Sequence, residues 1–531
     1  MDGKWGFGVV ALATSLTAAS LLGGVSCTVL LDHSSQQCQQ DSDCHDFGHH
    51  PYCDPKTKVC VASGLCPKDC IFGTPTKPTD FLNQCSPCTL ATDPTLPEGQ
   101  VGECLSYGGG TMPDAGLTNP PPGTVQTVPA GSPPSTLCKN VAPPGGQVLY
   151  MTGSSNFPPL LEKLAPAISA NAPGLTPVFK TTTSCAGVRS AYLDPANPTK
   201  YFPDHVIHDP ASATATDGYA QYYDPTIGKL ANCMLGPSGA TVDVGESEIF
   251  PETCGITKDP VNVAETPGPI LAILFVAPYK TLQRAISSEA AREVFGEGGL
   301  DPWTEPKLFY VRGAGTATLQ MVARQIGVPP TKFWGIDQGT ADAMAKNLVG
   351  QLDPAASNES IGILGADFYD RNRGGLKALA FQATDQLCAY TPDSNSNSVT
   401  LPRDKINVRD GHYPIWGSMH FFTVETDSQV SDAARTFVSL FGSPMIPMDM
   451  LDAFIDSGFV PDCAMMVDRD GELPGALMSR PPVYGCGCHF DSHVNPAPNF
   501  VPPTCVPCSD AMPCADTTKA CHYGFCESQS L

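Results

Sequence analysis

The feature that most constrains the fold is a local pattern found at two places: a short apolar strand, a small polar turn and a helix. Residues 308–311 form such a strand, and Arg312 with a Gly-rich turn leads into helical periodicity over 319–326. Residues 150–161 repeat the pattern, with prolines suited to a helix start. Apolar runs predict further strands at 148–151, 176–179, 269–276, 361–365 and 376–381, and the apolar spacing of 281–295 predicts a helix. Strands that alternate with helices predict an α/β fold with mostly parallel sheets.

The turn after residue 311 also has the residue types of an anion site. A Gly-rich turn before a helix aims backbone N–H groups and the helix N-terminus at one point. Arg312 adds a planar guanidinium that suits a tetrahedral oxyanion, and Thr316 and Thr318 add hydroxyl groups. The alternative is a plain turn of an α/β domain with Arg312 on the surface, because Gly-rich turns are common. This segment leaves both interpretations open.

Further segments share this character. A small polar turn at 184–187 and a short strand at 242–248 that ends in the carboxylate of Glu248 lie between the two patterns. Five such segments follow one another along the chain: TGSSNFP at 152–158, SCAG at 184–187, VDVGESE at 242–248, RGAGTAT at 312–318 and YPIWG at 413–417. In this order they resemble the phosphate-binding proteins of bacterial ABC importers, a branch of the type II periplasmic binding proteins.

The resemblance implies a two-lobed core like that of type II periplasmic binding proteins, with a ligand held between the lobes. It also carries binding roles onto individual positions. These are a polar side chain at Asn156, a backbone N–H at Phe157, a hydroxyl at Ser184, a carboxylate at Glu248 that accepts from a protonated phosphate, a buried cation at Arg312, and donors at a helix N-terminus from Thr316, Ala317 and Thr318.

Three of these positions depart from the family's residues. Glu248 stands for an Asp and is one methylene longer, so the ligand's size or position must shift. Ala317 stands for a Gly and narrows the approach of the ligand to the backbone, and Asn156 stands for a Thr. The alternative is therefore a chain that keeps the fold while its cleft binds another molecule.

The 23 cysteines indicate an oxidising compartment and a framework of disulfides. The apolar residues 6–24 after Lys4 resemble a bacterial lipoprotein signal over 1–27, with Cys27 as the lipidated residue. An ordinary signal peptide that is cut nearby is the alternative. Without Cys27, the even number of cysteines left fits complete pairing.

Composition divides the chain into four further parts. Few large apolar residues lie between the nine cysteines of 34–104, so disulfides must stabilise that module in place of a hydrophobic core. Because nine is odd, one of these cysteines is expected to pair outside the module, with Cys138 as a candidate. Pro and Gly are frequent in residues 105–146, which are therefore predicted to be an extended linker. The predicted parts are a Cys-rich module at 34–104, a linker at 105–146, a solute-binding-like α/β domain at 147–480 that carries an insertion at 194–239, and a Cys-rich module at 481–531.

The net charge of −23 argues against nucleic acid or an anionic membrane surface as a partner, but not against a small anion. The cysteines near 486–489 and 505–508 have zinc-like spacing, although disulfides are favoured in a secreted chain. No metal site, cofactor or catalytic motif is predicted, and the chain is not expected to be an enzyme.

The predicted function is an extracytoplasmic solute-binding protein for phosphate or a related oxyanion, lipid-anchored to the outer membrane or periplasmic, with an ABC permease as a further partner. The alternative is a cell-surface adhesion or sensing lipoprotein that keeps the fold without transporting phosphate.

Overall fold

The computed structural model describes residues 134–528 apart from 212–217, 260, 387, 395–402, 426–430, 443–444, 473–476, 481–484, 496, 498–499, 510 and 517. Before residue 134 it describes 52–53, 60–61 and 78–83. The predicted signal with Cys27, most of the 34–104 module and the start of the linker lie outside the described residues. Within these ranges, no helix is long and apolar enough to cross a bilayer.

One sheet of eleven strands organises the described chain. Its strands are β1 (Gln147–Gly153), β2 (Leu175–Thr181), β3 (Ala220–Asp224), β4 (Lys229–Cys233), β5 (Val244–Ser247), β6 (Val263–Pro278), β7 (Phe309–Val311), β8 (Ile336–Asp337), β9 (Ile361–Gly365), β10 (Leu376–Ala378) and β11 (Trp416–Val424). The spatial order is β8-β7-β9-β6-β11-β5-β1-β2-β3-β4, and β10 also pairs with β6.

The sheet has two halves, and β6 runs through both. Its residues 263–272 pair with β11 in the first half, whereas residues 273–276 pair with β9 in the second. Strands β5, β1 and β2 pair in parallel in the first half, as do β9, β7 and β8 in the second. Both β6 and β11 run antiparallel to their neighbours. The α/β class is confirmed, but the sheet is mixed instead of mostly parallel.

Helices connect the strands and cover the sheet. They are α1 (Phe157–Asn171), α2 (Ser184–Ala191), α3 (Ser288–Arg292), α4 (Ala317–Ile326), α5 (Ala341–Val349), α6 (Pro354–Glu359), α7 (Ala366–Arg371), α8 (Ile406–Arg409), α9 (Asp432–Gly442), α10 (Met448–Asp456) and α11 (Gly487–Val494). Pro158 fits the first turn of α1, and the hydroxyls of Thr183 and Thr316 accept from N–H groups in the first turns of α2 and α4.

Two predictions about individual elements are wrong. A helix was expected over 281–295 from its apolar spacing, but Ala285–Ser287 is a strand and the helix begins at Ser288, where Ser287 caps it. The apolar run 376–381 is not one strand. It divides between β10 and a strand at Ala380–Gln382, which pairs in parallel with Ala285–Ser287.

Disulfides fix the insertion and the C-terminal segment. Cys138 pairs with Cys233 in the insertion, so the expected pairing of Cys138 with the 34–104 module is wrong. Strands β3 and β4 of this insertion extend the sheet beyond β2. The expectation that all cysteines after Cys27 form disulfides is also wrong, because Cys388 is a buried thiol. The other pairs within the described ranges are Cys185–Cys254, Cys463–Cys486, Cys488–Cys505, Cys508–Cys521 and Cys514–Cys526, which confirms disulfides over zinc at 486–488 and 505–508.

A buried network of four charges holds the second half together. The ammonium of Lys405 lies 2.8 Å from Asp370 and 3.0 Å from Asp393, and Arg373 contacts the same two carboxylates at 2.6 and 2.5 Å. Each side chain is at most 2% exposed. Although burial opposes ionisation, Lys405 and Arg373 hold the pKa of Asp393 at about 2.

We expect Lys405→Met to lower the free energy of unfolding by about 3–5 kcal/mol, because one partner is removed from a desolvated ion network. Denaturant unfolding at neutral pH measures the change. Lys307→Met is the control, since Lys307 is 73% exposed and pairs with Glu305 at the surface; its effect should stay within about 1 kcal/mol. A similar small effect for Lys405→Met would contradict the account.

Candidate functional site

The turns at the carboxyl ends of β1, β2, β5 and β7 meet where the two halves of the sheet face each other. The guanidinium of Arg312, after β7, donates to the hydroxyl of Ser155, after β1, at 3.0 Å. The backbone N–H of Ala317 donates to the hydroxyl of Ser184 at 3.1 Å. That hydroxyl in turn donates to Glu248 at 3.0 Å. Hydrogen bonds therefore join the N-terminus of α4 to the turns of the first half.

Arg312 is the cation of this site and is 3% exposed. Its Nη2 also donates to the carbonyl of Gly339 at 3.1 Å, while its Nε has no hydrogen-bond partner among the described residues. Burial lowers its pKa, and the charges of Asp337 and Glu248 oppose that shift. Because a guanidinium stays protonated even so, one positive charge with a free N–H remains in a dry environment.

Glu248 lies fully buried at the end of β5. Burial raises the pKa of its carboxyl, while the side chains of Ser154, Ser184 and Asn156 favour the ionised form. Its Oε1 lacks a hydrogen-bond partner within the described ranges. Glu248 can therefore present either a carboxylate or a neutral carboxyl to a ligand, and the balance between the two forms depends on that ligand.

Glu246 is a second buried carboxyl that the sequence interpretation missed. It accepts from the backbone N–H of Ser154 at 2.8 Å. Burial, together with the charge of Glu248, raises its pKa well above the usual value. Its backbone packs tightly, because a Cβ on Gly153 or Gly187 would lie 2.1 or 1.8 Å from the Glu246 carbonyl oxygen. The two glycines are needed for this approach of α2 and β1 to β5.

Asp367 is a third buried carboxyl near the site, in the first turn of α7 directly after β9. It is 2% exposed, and burial raises its pKa to about 7 although Arg371 opposes the shift. The charge of Glu248 contributes to the shift in pKa. Its Oδ1 has no hydrogen-bond partner in the part of the chain that is described. An acid directly after a buried strand was the only sequence signal for it.

The other predicted positions lie in the same turns and, apart from the side chain of Asn156, which acts on Glu248, they are engaged locally. The N–H of Asn156 donates to the hydroxyl of Ser154 at 3.2 Å, and the N–H of Phe157 donates to the backbone carbonyl of Ser154 at 3.3 Å. The ring of Phe157 is buried in the core. The hydroxyl of Thr316 donates to Gly313 and caps α4. Thr318 is buried in the first turn of that helix. Their binding roles stay predictions.

No family model and no curated protein matches the chain. Among solved structures, a putative phosphate ABC transporter substrate-binding protein with bound phosphate from Clostridium perfringens is similar, with 11% identity and a TM-score of 0.38 over 59% of this chain and 99% of that one. An ABC-type phosphate transport receptor from Vibrio cholerae matches at 9% identity, over 59% and 99%, with a TM-score of 0.36.

A regulatory domain from Synechocystis, solved in complex with 2-PG, also matches, with 10% identity and a TM-score of 0.30 over 55% of this chain and 94% of that one. The resemblance predicted from the motifs is thus found again over the middle of the chain. At these identities and TM-scores the similarity carries no ligand over to this chain, whose site rests on its own contacts.

We expect Asp367→Asn to change the pH dependence of stability. A carboxyl whose pKa rises to about 7 on folding stabilises the protein below about pH 4, and this contribution disappears as the pH rises through 7. Between pH 4.5 and pH 8, the wild type should therefore lose about 3 kcal/mol more than Asp367→Asn. Urea unfolding at both pH values measures this difference. Asp432→Asn, at an exposed acid, is the control. If Asp367→Asn alters the pH-dependent difference in unfolding free energy no more than this control does, the expectation is contradicted.

Proposed function

We propose that this chain is an extracytoplasmic solute-binding protein that holds a small oxyanion, phosphate or a related ion, between the two halves of its sheet. The observation that carries the proposal is the pair of hydrogen bonds across this boundary, from Arg312 to Ser155 and from the N–H of Ala317 to Ser184. The groups that meet there are two hydroxyls, a guanidinium and the N-terminus of a helix. They are the groups from which proteins build anion sites.

The proposed ligand takes over these contacts as it enters. The halves separate slightly, and the oxygens of the anion replace the oxygen atoms of Ser155 and Ser184 as acceptors for Arg312 and Ala317. The hydroxyl of Ser155 can then donate to the ligand, and the hydroxyl of Ser184 can do so when its proton turns from Glu248 to the anion. The Nε of Arg312, which has no partner in the described structure, gains one. A desolvated site of neutral donors with one cation binds an anion without a large opposing charge.

The buried carboxyls give the proposed site a preference for an anion that carries a proton. Glu248 in its ionised form repels a fully ionised anion, but it accepts a hydrogen bond from an anion that carries a proton. Phosphate carries such a proton at neutral pH, whereas sulfate does not. Burial and the charge of Glu248 raise the pKa of Glu246 well above its usual value, which disfavours a second negative charge beside Glu248. Ionised Glu248 is therefore the proposed discriminator between the two anions.

We expect Arg312→Ala to weaken phosphate binding at least a hundredfold, since it removes a charge-assisted donor from a dry site. Isothermal titration of the full chain with phosphate at neutral pH measures the affinity. Arg324→Ala is the matched control, because Arg324 lies on α4 but bonds to Gln320 and Thr253, away from the cleft. If neither the wild type nor Arg324→Ala binds phosphate or another oxyanion, the alternative role in adhesion or sensing at the cell surface becomes the better account.

We expect Glu248→Gln to reduce the preference for phosphate over sulfate by about tenfold or more. The amide has nearly the shape of the carboxyl but no negative charge, and its NH₂ group donates to either anion. Competition titrations of the variant and the wild type with both anions give the ratio. Unchanged discrimination in a variant that still binds phosphate would show that another group selects the ligand.

The cellular context belongs to the same proposal. We infer delivery of the bound anion to an ABC permease from a periplasmic or lipid-anchored position, with Cys27 as the anchor. The site as described binds and releases its ligand, and no catalytic step is proposed for it.

A further inference from the structure

A second cluster of ligand-type side chains lies between α10 and α11, outside the proposed anion site. His489 and His493 are four residues apart on α11, so they share one face of that helix. Asp452 and Asp456 have the same spacing on α10. The two faces meet, and the histidines contact the carboxylates directly.

The contacts bring three ligand atoms together. The Nε2 atom of His489 lies 2.8 Å from Oδ1 of Asp452, and Nδ1 of His493 lies 3.3 Å from the same oxygen. One ligand atom from each of these three residues falls within 4.8 Å of the other two. The second ring nitrogen of His493, Nε2, lies 2.9 Å from Oδ1 of Asp456. Each histidine therefore faces the cluster, and a further carboxylate fixes the ring of one of them.

We propose that His489, His493 and Asp452 bind a divalent transition-metal ion, with Zn²⁺ as the best fit. Imidazole and carboxylate groups suit this ion, and a tetrahedral site with bonds of about 2.0–2.1 Å holds its ligand atoms about 3.3 Å apart. The observed separations of 2.8 and 3.3 Å need only a small expansion to admit the ion. A water molecule completes the coordination.

Asp456 has a different role in this proposal. When Nδ1 of His493 binds the metal, its Nε2–H donates to Asp456 across the observed 2.9 Å. Histidines that bind metals almost always donate their second N–H to a carboxylate or carbonyl, which fixes the orientation of the ring. Asp456 is thus a positioning residue, and its loss should weaken the site without abolishing it.

The surroundings hold the cluster in place while leaving it accessible. The disulfides Cys463–Cys486 and Cys488–Cys505 anchor the chain on both sides of the start of α11. The ring of Tyr523 packs 5.6 Å from that of His489. The side chains of His489 and His493 are 13% and 27% exposed, so an ion can enter from solvent. Because nearby cysteines are consumed in disulfides, nitrogen and oxygen atoms are the ligands left at this place.

The consequence is a metal link between two parts of the chain. Helix α10 lies in the 147–480 region, whereas α11 lies in the C-terminal Cys-rich segment. A bound ion would fix the two helices together beside the Cys463–Cys486 disulfide, which already joins the segment after α10 to the start of α11. Metal binding should then stabilise the folded protein by mass action.

The test is titration of the full-length, disulfide-bonded chain, without a histidine tag, with zinc chloride in a calorimeter. His489→Gln and His493→Gln keep a polar group for the aspartates but remove a ligand, and each should weaken binding at least a hundredfold. Asp456→Asn should weaken it about 10–100-fold, as expected for a residue that orients a ligand. His208→Gln, at an exposed histidine of the insertion, is the matched control and should bind as the wild type does.

A thermal melt gives the second readout. Zinc should raise the midpoint of the wild type and of His208→Gln, but not that of His489→Gln, while all three should melt alike without metal. Arg312→Ala should keep the full zinc response, which separates this site from the anion cleft. Absence of wild-type binding at micromolar zinc, or equal affinity in His489→Gln, would overturn the proposal.

Discussion

The structure depends on the hydrogen bonding of one long strand. Strand β6 pairs with β11 along its first ten residues and with β9 and β10 near its end, so both halves of the sheet share it. Its register is interrupted between Pro267 and Ile270, where the pairing with β11 shifts. Because the turns after β1, β2 and β7 are attached to strands held by this continuous sheet, β6 sets how the turns face each other across the boundary.

The site formed there has unusual electrostatics. Arg312 is a buried cation, and three buried carboxyls, Glu246, Glu248 and Asp367, surround the same region. Burial raises the pKa of each carboxyl, so protonation lowers the negative charge that would otherwise oppose an anion. Ligand choice and protonation are therefore linked in this arrangement, since a nearby anion favours neutral Glu246 and Asp367, whereas the proposed hydrogen bond from a protonated anion favours ionised Glu248.

Much of the local structure followed from the sequence. Apolar patterning predicts strands at 148–151, 176–179 and 361–365 and a helix after the turn at 312–316, and the structure has these elements there. The apolar run of β6 indicated burial, but burial is the same for parallel and antiparallel neighbours, so the direction of its partners was missed. The helix predicted at 281–295 is wrong because residues 285–287 form a short strand, and the helix begins only at Ser288.

The sites were harder to predict for a different reason. Ser184, Glu248, Arg312 and Ala317 were found through their order along the chain. In the structure, hydrogen bonds connect Ala317, Ser184 and Glu248, and the charge of Glu248 acts on Arg312. Glu246 and Asp367 gain their importance from burial, which no local pattern reveals. The cluster of Asp452 and His489 joins residues 37 positions apart, and only the packing of two helices brings them together.

The most direct measurement is a crystal structure of the full chain grown with arsenate, whose arsenic atom gives an anomalous signal and whose shape matches phosphate. The account predicts one arsenic peak at the boundary of the two halves, within hydrogen-bond reach of the Arg312 guanidinium, the hydroxyls of Ser155 and Ser184 and the N–H of Ala317. Arsenic bound elsewhere, with the hydrogen bonds from Arg312 to Ser155 and from Ala317 to Ser184 intact, would contradict it.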